Sequence, residues 1–159
     1  MKLEEAKLIA ERVKQTLRPY CDRIEIAGSI RRQKPIVNDI DLVIIEKPDA
    51  DLQLSSRLFS LGVVKINGPD IRRVYLPGDN ITLDIYIATP ATWATLLLIR
   101  TGSKENNIRL CSLARRKGWQ LKANGDGLFD EAGNRIAGDT EQSVYEALGV
   151  PYQAPEERG

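Results

Sequence analysis

Ala27-Gly-Ser-Ile-Arg-Arg-Gln-Lys-Pro-Ile-Val-Asn-Asp-Ile-Asp-Leu-Val-Ile-Ile45 is the stretch whose reading decides the fold. A Gly-Ser step with two arginines close behind leads through a loop into an apolar run that carries Asp39 and Asp41. Read as a strand, that run rises ~3.3 Å per residue and alternates faces, so the two aspartates point the same way with Cα atoms ~6.6 Å apart. Carboxylates this close repel each other and resist burial, and one or two hard divalent cations held between them are the simplest relief. Gly28 lets backbone approach a phosphate, and the amides of the following turn suit an anion. Arg31 or Arg32 can fork onto phosphate oxygens as a lysine cannot.

A second acidic strand lies downstream. Ile81-Thr-Leu-Asp-Ile-Tyr-Ile-Ala88 alternates cleanly, with Leu83, Ile85 and Ile87 on one face and Thr82, Asp84 and Tyr86 on the other. If the two strands are neighbours, Asp39, Asp41 and Asp84 converge and can hold two Mg²⁺ ions ~3.5–4 Å apart, the arrangement used for phosphoryl and nucleotidyl transfer. Mn²⁺ is able to substitute for Mg²⁺ in such an oxygen-only site.

Composition narrows the chemistry. The 159 residues contain no histidine, which excludes Ser-His-Asp and Cys-His catalysis and imidazole-ligated zinc. Carboxylates, hydroxyls, basic side chains and bound ions remain. Cys21 and Cys111 lack metal-ligand spacing and read as reduced packing thiols of a cytoplasmic protein. No apolar run reaches the ~20 residues of a membrane span, and the charged, helical N-terminus does not read as a secretory leader. The net charge is only +1, but it is unevenly placed. Residues 90–125 carry Arg100, Lys104, Arg109, Arg115, Arg116, Lys117 and Lys122 against Glu105 alone, a balance of +6, while residues 126–159 balance at −6. A basic zone beside a metal site suits a polyphosphate or nucleic-acid substrate. Arg115-Arg116-Lys117 also suits a helix C-terminus, where positive charge offsets the helix dipole.

The rest of the chain supplies the frame. Residues 2–17 space Leu3, Ala6, Ile9, Ala10, Val13 and Leu17 as an amphipathic helix ending near Pro19. Strands are expected at 22–27, 39–46, 63–67, 71–76 and 81–88, with a helix at 51–61 closed by Gly62. Pro90 is expected to open a helix reaching Arg100, with Trp93, Leu96 and Leu97 inward. Thr101-Gly102-Ser103 interrupts it, and a further helix runs to Lys117. Short strands follow around 119–123, 127–129 and 135–137, and then a helix at 140–148 with Thr140 as N-cap. Trp93 and Trp119 read as core anchors, and 151–159 as a polar tail. The fold class is α/β (α+β): a mixed sheet over 1–88, with helices on one face and the carboxylates on the other, followed by a small α/β unit at 89–159.

Gly28-Ser29-Ile30-Arg31-Arg32, Asp39-Ile40-Asp41 and Leu83-Asp84-Ile85 resemble the palm motifs of the family X DNA polymerases, within the nucleotidyltransferase superfamily. Thr101-Gly-Ser-Lys-Glu-Asn-Asn-Ile-Arg109 resembles the family's thumb motif, and Gly127–Tyr152 resembles the end of the prokaryotic polymerase core. The resemblance spans nearly the whole chain. It implies a palm at 1–88 and a thumb at 89–159, with Asp39, Asp41 and Asp84 as metal ligands. Ser29 and Arg32 would hold a triphosphate beside Gly28 and Asn38, the latter standing where relatives usually have glycine. Gly102 would lie under the sugar, at a turn that can hold a cis Gly-Ser peptide. Asn106 or Asn107 would meet the incoming nucleotide, and Arg109 the template.

The implied activity is extension of a DNA primer, or filling of a short gap in repair, with pyrophosphate release. The alternatives are a nucleotidyltransferase acting on a small molecule, an RNA end or a protein, and a non-catalytic nucleic-acid-binding module. Ile99-Arg100 replaces the Tyr-Phe pair that helps exclude a ribose 2′-hydroxyl, which makes ribonucleotide use an expectation. No counterpart of the family's helical DNA-gripping lobe is read in these residues. Grip on DNA is therefore expected from residues 90–125, including Lys104 and Arg109, from Arg72 and Arg73, or from a repair-protein partner.

Overall fold

The computed structural model describes residues 1–159. Helix α1 (Leu3–Leu17) buries Ala6, Ile9, Ala10, Val13 and Leu17, one stripe at helical spacing. A 3₁₀ turn, Arg18–Tyr20, leads into β1 (Cys21–Ile26); a four-residue α2 (Gly28–Arg31) and a loop then precede β2 (Asp39–Glu46). Helix α3 (Asp51–Leu61), the hairpin β3 (Val63–Asn67) and β4 (Ile71–Leu76), and β5 (Ile81–Ile87) complete the first sheet. Its order is β1-β2-β5-β4-β3. β2 and β5 are parallel, and every other pairing is antiparallel.

The alternation of side chains then assigns two faces. Ile40, Leu42, Ile44, Leu83 and Ile85 pack against α1 and, from α3, Leu54 and Leu58. Asp39, Asp41, Val43, Asp84 and Tyr86 occupy the other face. That face is not left to the carboxylates alone. Helix α4 (Trp93–Thr101), from the second unit, lays Trp93, Leu96 and Leu97 against Ala27, Val43 and Ala88. Leu98 and Ile99 of the same helix enter a separate core with Leu110, Leu121, Leu128, Val144, Tyr145 and Leu148. Serving two cores explains why α4 is buried at every residue from Trp93 to Ile99.

Helix α5 (Lys104–Arg116), a three-stranded antiparallel sheet, and helix α6 (Glu141–Leu148) form the remainder. The strands are β6 (Gln120–Lys122), β7 (Gly127–Phe129) and β8 (Arg135–Ala137). Thr140 caps α6 as expected: its Oγ1 accepts from the Ser143 amide at 3.0 Å, and Ser143 returns the bond. Helix α4 starts at Trp93, three residues later than Pro90, because Thr89 and Thr92 tie off a turn first. Residues 151–159 are not a loose polar tail. Arg158 is fully buried, ion-paired with Glu141 at 2.7 Å and lying over the rings of Tyr145 and Tyr152. Both cysteines are free thiols, and burial, with help from Glu46, pushes Cys21 up to about 11. No helix is long and apolar enough to cross a membrane.

Candidate active site

Parallel pairing sets Asp41 directly beside Asp84, with Asp39 beside Thr82 one step along the same face. Strand β2 presents acids there because its period of two sends Ile40, Leu42 and Ile44 into the core and leaves the odd positions outside. Asp41 feels its neighbours. Burial, then Asp84 and Asp39, push its carboxyl up to about 7, while Arg100 and Arg32 pull it back. Asp39 is raised too, first by burial and then by Asp84.

Asp84 is held differently. Arg73, directly across from it on β4, donates from Nε to Oδ1 at 2.6 Å and from Nη2 to Oδ2 at 3.5 Å. Three carboxylates thus line this part of the sheet. They share one face and interact, but no trio of Asp, Glu, Cys or His side chains converges tightly enough to hold an ion in this conformation. The guanidinium stands where a cation would neutralise Asp84. The donor chemistry nevertheless fits a hard divalent ion: oxygen ligands only, on one face, with the carboxyls of Asp39 and Asp41 raised in a way that a positive charge would relieve.

Beside the acids opens a cavity of about 440 Å³, lined by Gly28, Ser29, Arg32, Lys34, Asn38, Asp39, Asp41 and Arg100. The two arginines after Ser29 separate cleanly. Arg31 turns away to pair with Glu141 at 2.8 Å and to donate to Thr101 Oγ1 at 2.8 Å. Arg32 faces the cavity, donating from Nη1 to the Thr101 carbonyl at 2.6 Å and leaving a buried Nε without a partner. Burial lowers its pKa, and Asp41 and Glu105 oppose that shift.

Gly102 packs against Arg32, and the Gly102–Ser103 peptide is cis. Ser103 caps α5 through its side chain, and its amide donates to the Arg158 carbonyl at 3.1 Å. The buried chain end thus fixes the turn that leads into α5.

The asparagines divide likewise. Asn106 is buried, its Nδ2 donating to the Tyr145 hydroxyl at 3.0 Å, so it serves the thumb core and is withdrawn as a nucleotide contact. Asn107 bonds the Ile99 carbonyl at 2.8 Å and lines a cavity of about 320 Å³ with Lys104, Ile108 and Arg115. Arg109 is exposed beside Gln153. Arg72 is likewise withdrawn from the nucleic-acid side. It sits on the opposite face of the sheet, almost fully buried, and holds Asp51 at 2.6 Å and Glu46 at 3.1 Å.

Two residues at the site escaped the sequence reading. Arg100 stacks 4.1 Å over the ring of Tyr86. Burial, Asp41 and Asp84 push that phenol up to about 12. Tyr86 had a signal, since it shares the alternation of Asp84; Arg100 had its place in the basic zone and in the Ile99-Arg100 step that replaces the Tyr-Phe pair, but neither pointed to a stack on Tyr86.

A sheet with an acidic pair at its parallel seam, backed by a Gly-Ser turn and joined to a small α/β thumb, is the polymerase beta fold. Leishmania infantum polymerase beta, in a ternary P/T complex and in a ternary gap complex, superposes with TM-scores of 0.83 and 0.81 at 23% and 22% identity. The two superpositions cover 100% and 99% of this chain, and 76% and 70% of those chains. The DNA polymerase beta thumb family matches residues 96–159. DNA polymerase/3′-5′ exonuclease PolX of Bacillus subtilis is 26% identical over 94% of the chain, and DNA polymerase lambda of Rattus norvegicus is 34% identical over 48%. These matches make the chain similar to family X DNA polymerases, with residues 96–159 resembling the polymerase beta thumb. It spans 27% of the length of the Bacillus subtilis relative and 15% of the rat one.

Proposed function

We propose that this chain is the nucleotidyl-transfer core of a family X DNA polymerase, with a palm at 1–88 and a thumb at 89–159. It would add a nucleotide from a nucleoside triphosphate to a primer 3′-hydroxyl, or fill a short gap in DNA repair. The observation that carries this reading is the register of β2 and β5, which sets Asp41 beside Asp84 next to the cavity walled by Ser29 and Arg32.

Asp39, Asp41 and Asp84 would hold two Mg²⁺ ions, with Mn²⁺ able to substitute. When bound there, the ions would supply Lewis-acid activation and neutralise charge on the phosphates. The chain's own residues do the placing. Ser29 and Arg32 hold the triphosphate on the β1 side of the acids, Arg32 being braced by Thr101. The 3′-oxygen bonds to the α-phosphorus as the bond to the β-phosphate oxygen breaks. Pyrophosphate leaves and the hydroxyl proton passes to solvent. Gly102 supports the sugar, Asn107 faces the nucleotide, and Lys104, Arg109 and Arg73 face DNA. A repair-protein partner would supply the remaining grip in a cytoplasmic setting.

Primer extension on gapped, recessed and single-stranded DNA, with Mg²⁺ or Mn²⁺, tests the reading. Template-directed extension is expected on the first two and is lost in Asp84→Ala. DNA binding with no extension under either ion would favour a non-catalytic module. Labelling of an RNA end or a small molecule in preference to DNA would move the acceptor.

A further inference from the structure

Arg73 and Asp84 face each other across β4 and β5 and are unequally exposed: the carboxylate side chain is 9% accessible and the guanidinium 40%. The inner partner is thus fixed by burial, while the outer one reaches solvent and keeps Nη1 free of protein partners. Both oxygens of Asp84 are taken by this fork, and neither Asp39 nor Asp41 has a comparable ion pair. A guanidinium bound this way is exchangeable, because phosphate offers it the same two-toothed geometry with more negative charge.

Sheet order decides which phosphate. Ser29 and Arg32 follow β1, the acids sit on β2 and β5, and Arg73 stands on β4, at the far side of the acids from the triphosphate cradle. The other anion that nucleotidyl transfer brings to the site is the backbone of the acceptor strand.

We propose that Arg73 is a positioning residue that changes partner on DNA binding. In the free protein it holds Asp84; a primer-strand phosphate takes it over, and the released carboxylate becomes available to a divalent cation. This rests on the polymerase reading for the identity of the anion. DNA and cation then strengthen each other's binding, and by linkage the effect is reciprocal.

The test measures Mn²⁺ binding to the full chain by electron paramagnetic resonance. It is run with and without a recessed primer–template ended by a dideoxynucleotide, with no nucleotide present. In the wild type, DNA is expected to tighten Mn²⁺ binding by about fivefold or more. Arg73→Ala should bind Mn²⁺ tightly without DNA and lose most of that enhancement. Arg73→Lys, which keeps the charge but not the fork, should fall between them. A purely structural Arg73 would leave the DNA dependence unchanged, and finding it equal in wild type and Arg73→Ala overturns the proposal. So does wild-type Mn²⁺ binding that ignores DNA. Primer extension is scored separately, so a chain that couples DNA to Mn²⁺ yet extends nothing would lose the polymerase reading and keep this one.

Discussion

Gly28 and Asp41 are in such close contact that a Cβ added to the glycine would lie 2.1 Å from Oδ2 of the aspartate. The glycine also holds φ +60°, a conformation that side chains disfavour. Gly28→Ala should therefore push Asp41 out of line. Since misplacing a reacting group by ~1 Å can cost on the order of 100-fold, primer-extension rates should fall by about that much. Circular dichroism should still report a folded chain.

Asp41 makes a pH prediction with a definite sign. Its folded pKa is raised from 3.8 to about 7, so the protonated form is the favoured one in the fold. The stability it contributes is complete below about pH 4 and is lost as pH rises through about 7. In EDTA at pH 8, Asp41→Asn should melt at a higher temperature than wild type, by up to a few kcal/mol of stability at ~1.4 kcal/mol per pKa unit. The same variant should be inactive. A melting curve for Asp41→Asn that is lower at pH 8 would contradict the assigned burial.

Glu141 joins Arg31 and Arg158, and so ties α2 to α6 and to the chain end. Removing it leaves a fully buried guanidinium unpaired, which costs ~3–5 kcal/mol for such sites. Glu141→Ala should show that loss in urea denaturation, whereas Arg158→Met, which removes the charge along with its partner's burden, should lose less.

The two neighbouring asparagines should separate experimentally. Asn106→Ala strands the buried Tyr145 hydroxyl and should cost ~1–3 kcal/mol in stability. Asn107→Ala should leave stability nearer wild type and instead raise KM for the nucleotide. The reverse assignment would move the nucleotide contact to Asn106.

Arg100 lies at the cavity with its guanidinium over Tyr86 and no hydrogen-bond partner in the protein, and Ile99 beside it is turned into the thumb core. With no aromatic pair at these positions, ribonucleotides should be incorporated within about tenfold of deoxyribonucleotides, as expected where no polar or steric contact rejects the hydroxyl. Parallel single-nucleotide kinetics with dNTP and rNTP would show it; a strong deoxy preference would refute it.

The elements that sequence made legible are those whose pattern is local. The alternation in Ile81–Ile87 and the helical stripe in Leu3–Leu17 depend on burial of one face, which neighbouring residues record. Asp39, Asp41 and Asp84 could be singled out because acids interrupt apolar strands. Arg72 and Arg73 could not be told apart on charge alone; their opposite fates follow from which face of β4 each occupies, and from Glu46 and Asp51 waiting on one side and Asp84 on the other. Arg158 was hidden for a related reason. A lone arginine in a polar tail looks solvated until Glu141 and two tyrosine rings, brought from elsewhere in the chain, surround it.

The parallel seam between β2 and β5 has a kinetic consequence. Parallel neighbours cannot be joined by a tight turn, and here the intervening excursion contains α3 and the β3–β4 hairpin, with β4 pairing on the outer side of β5. Asp41 and Asp84 therefore meet only after that whole excursion has closed, a long-range event that is slow to nucleate. Catalytic competence should emerge late in refolding and in a single step, trailing the appearance of helix signal from α1.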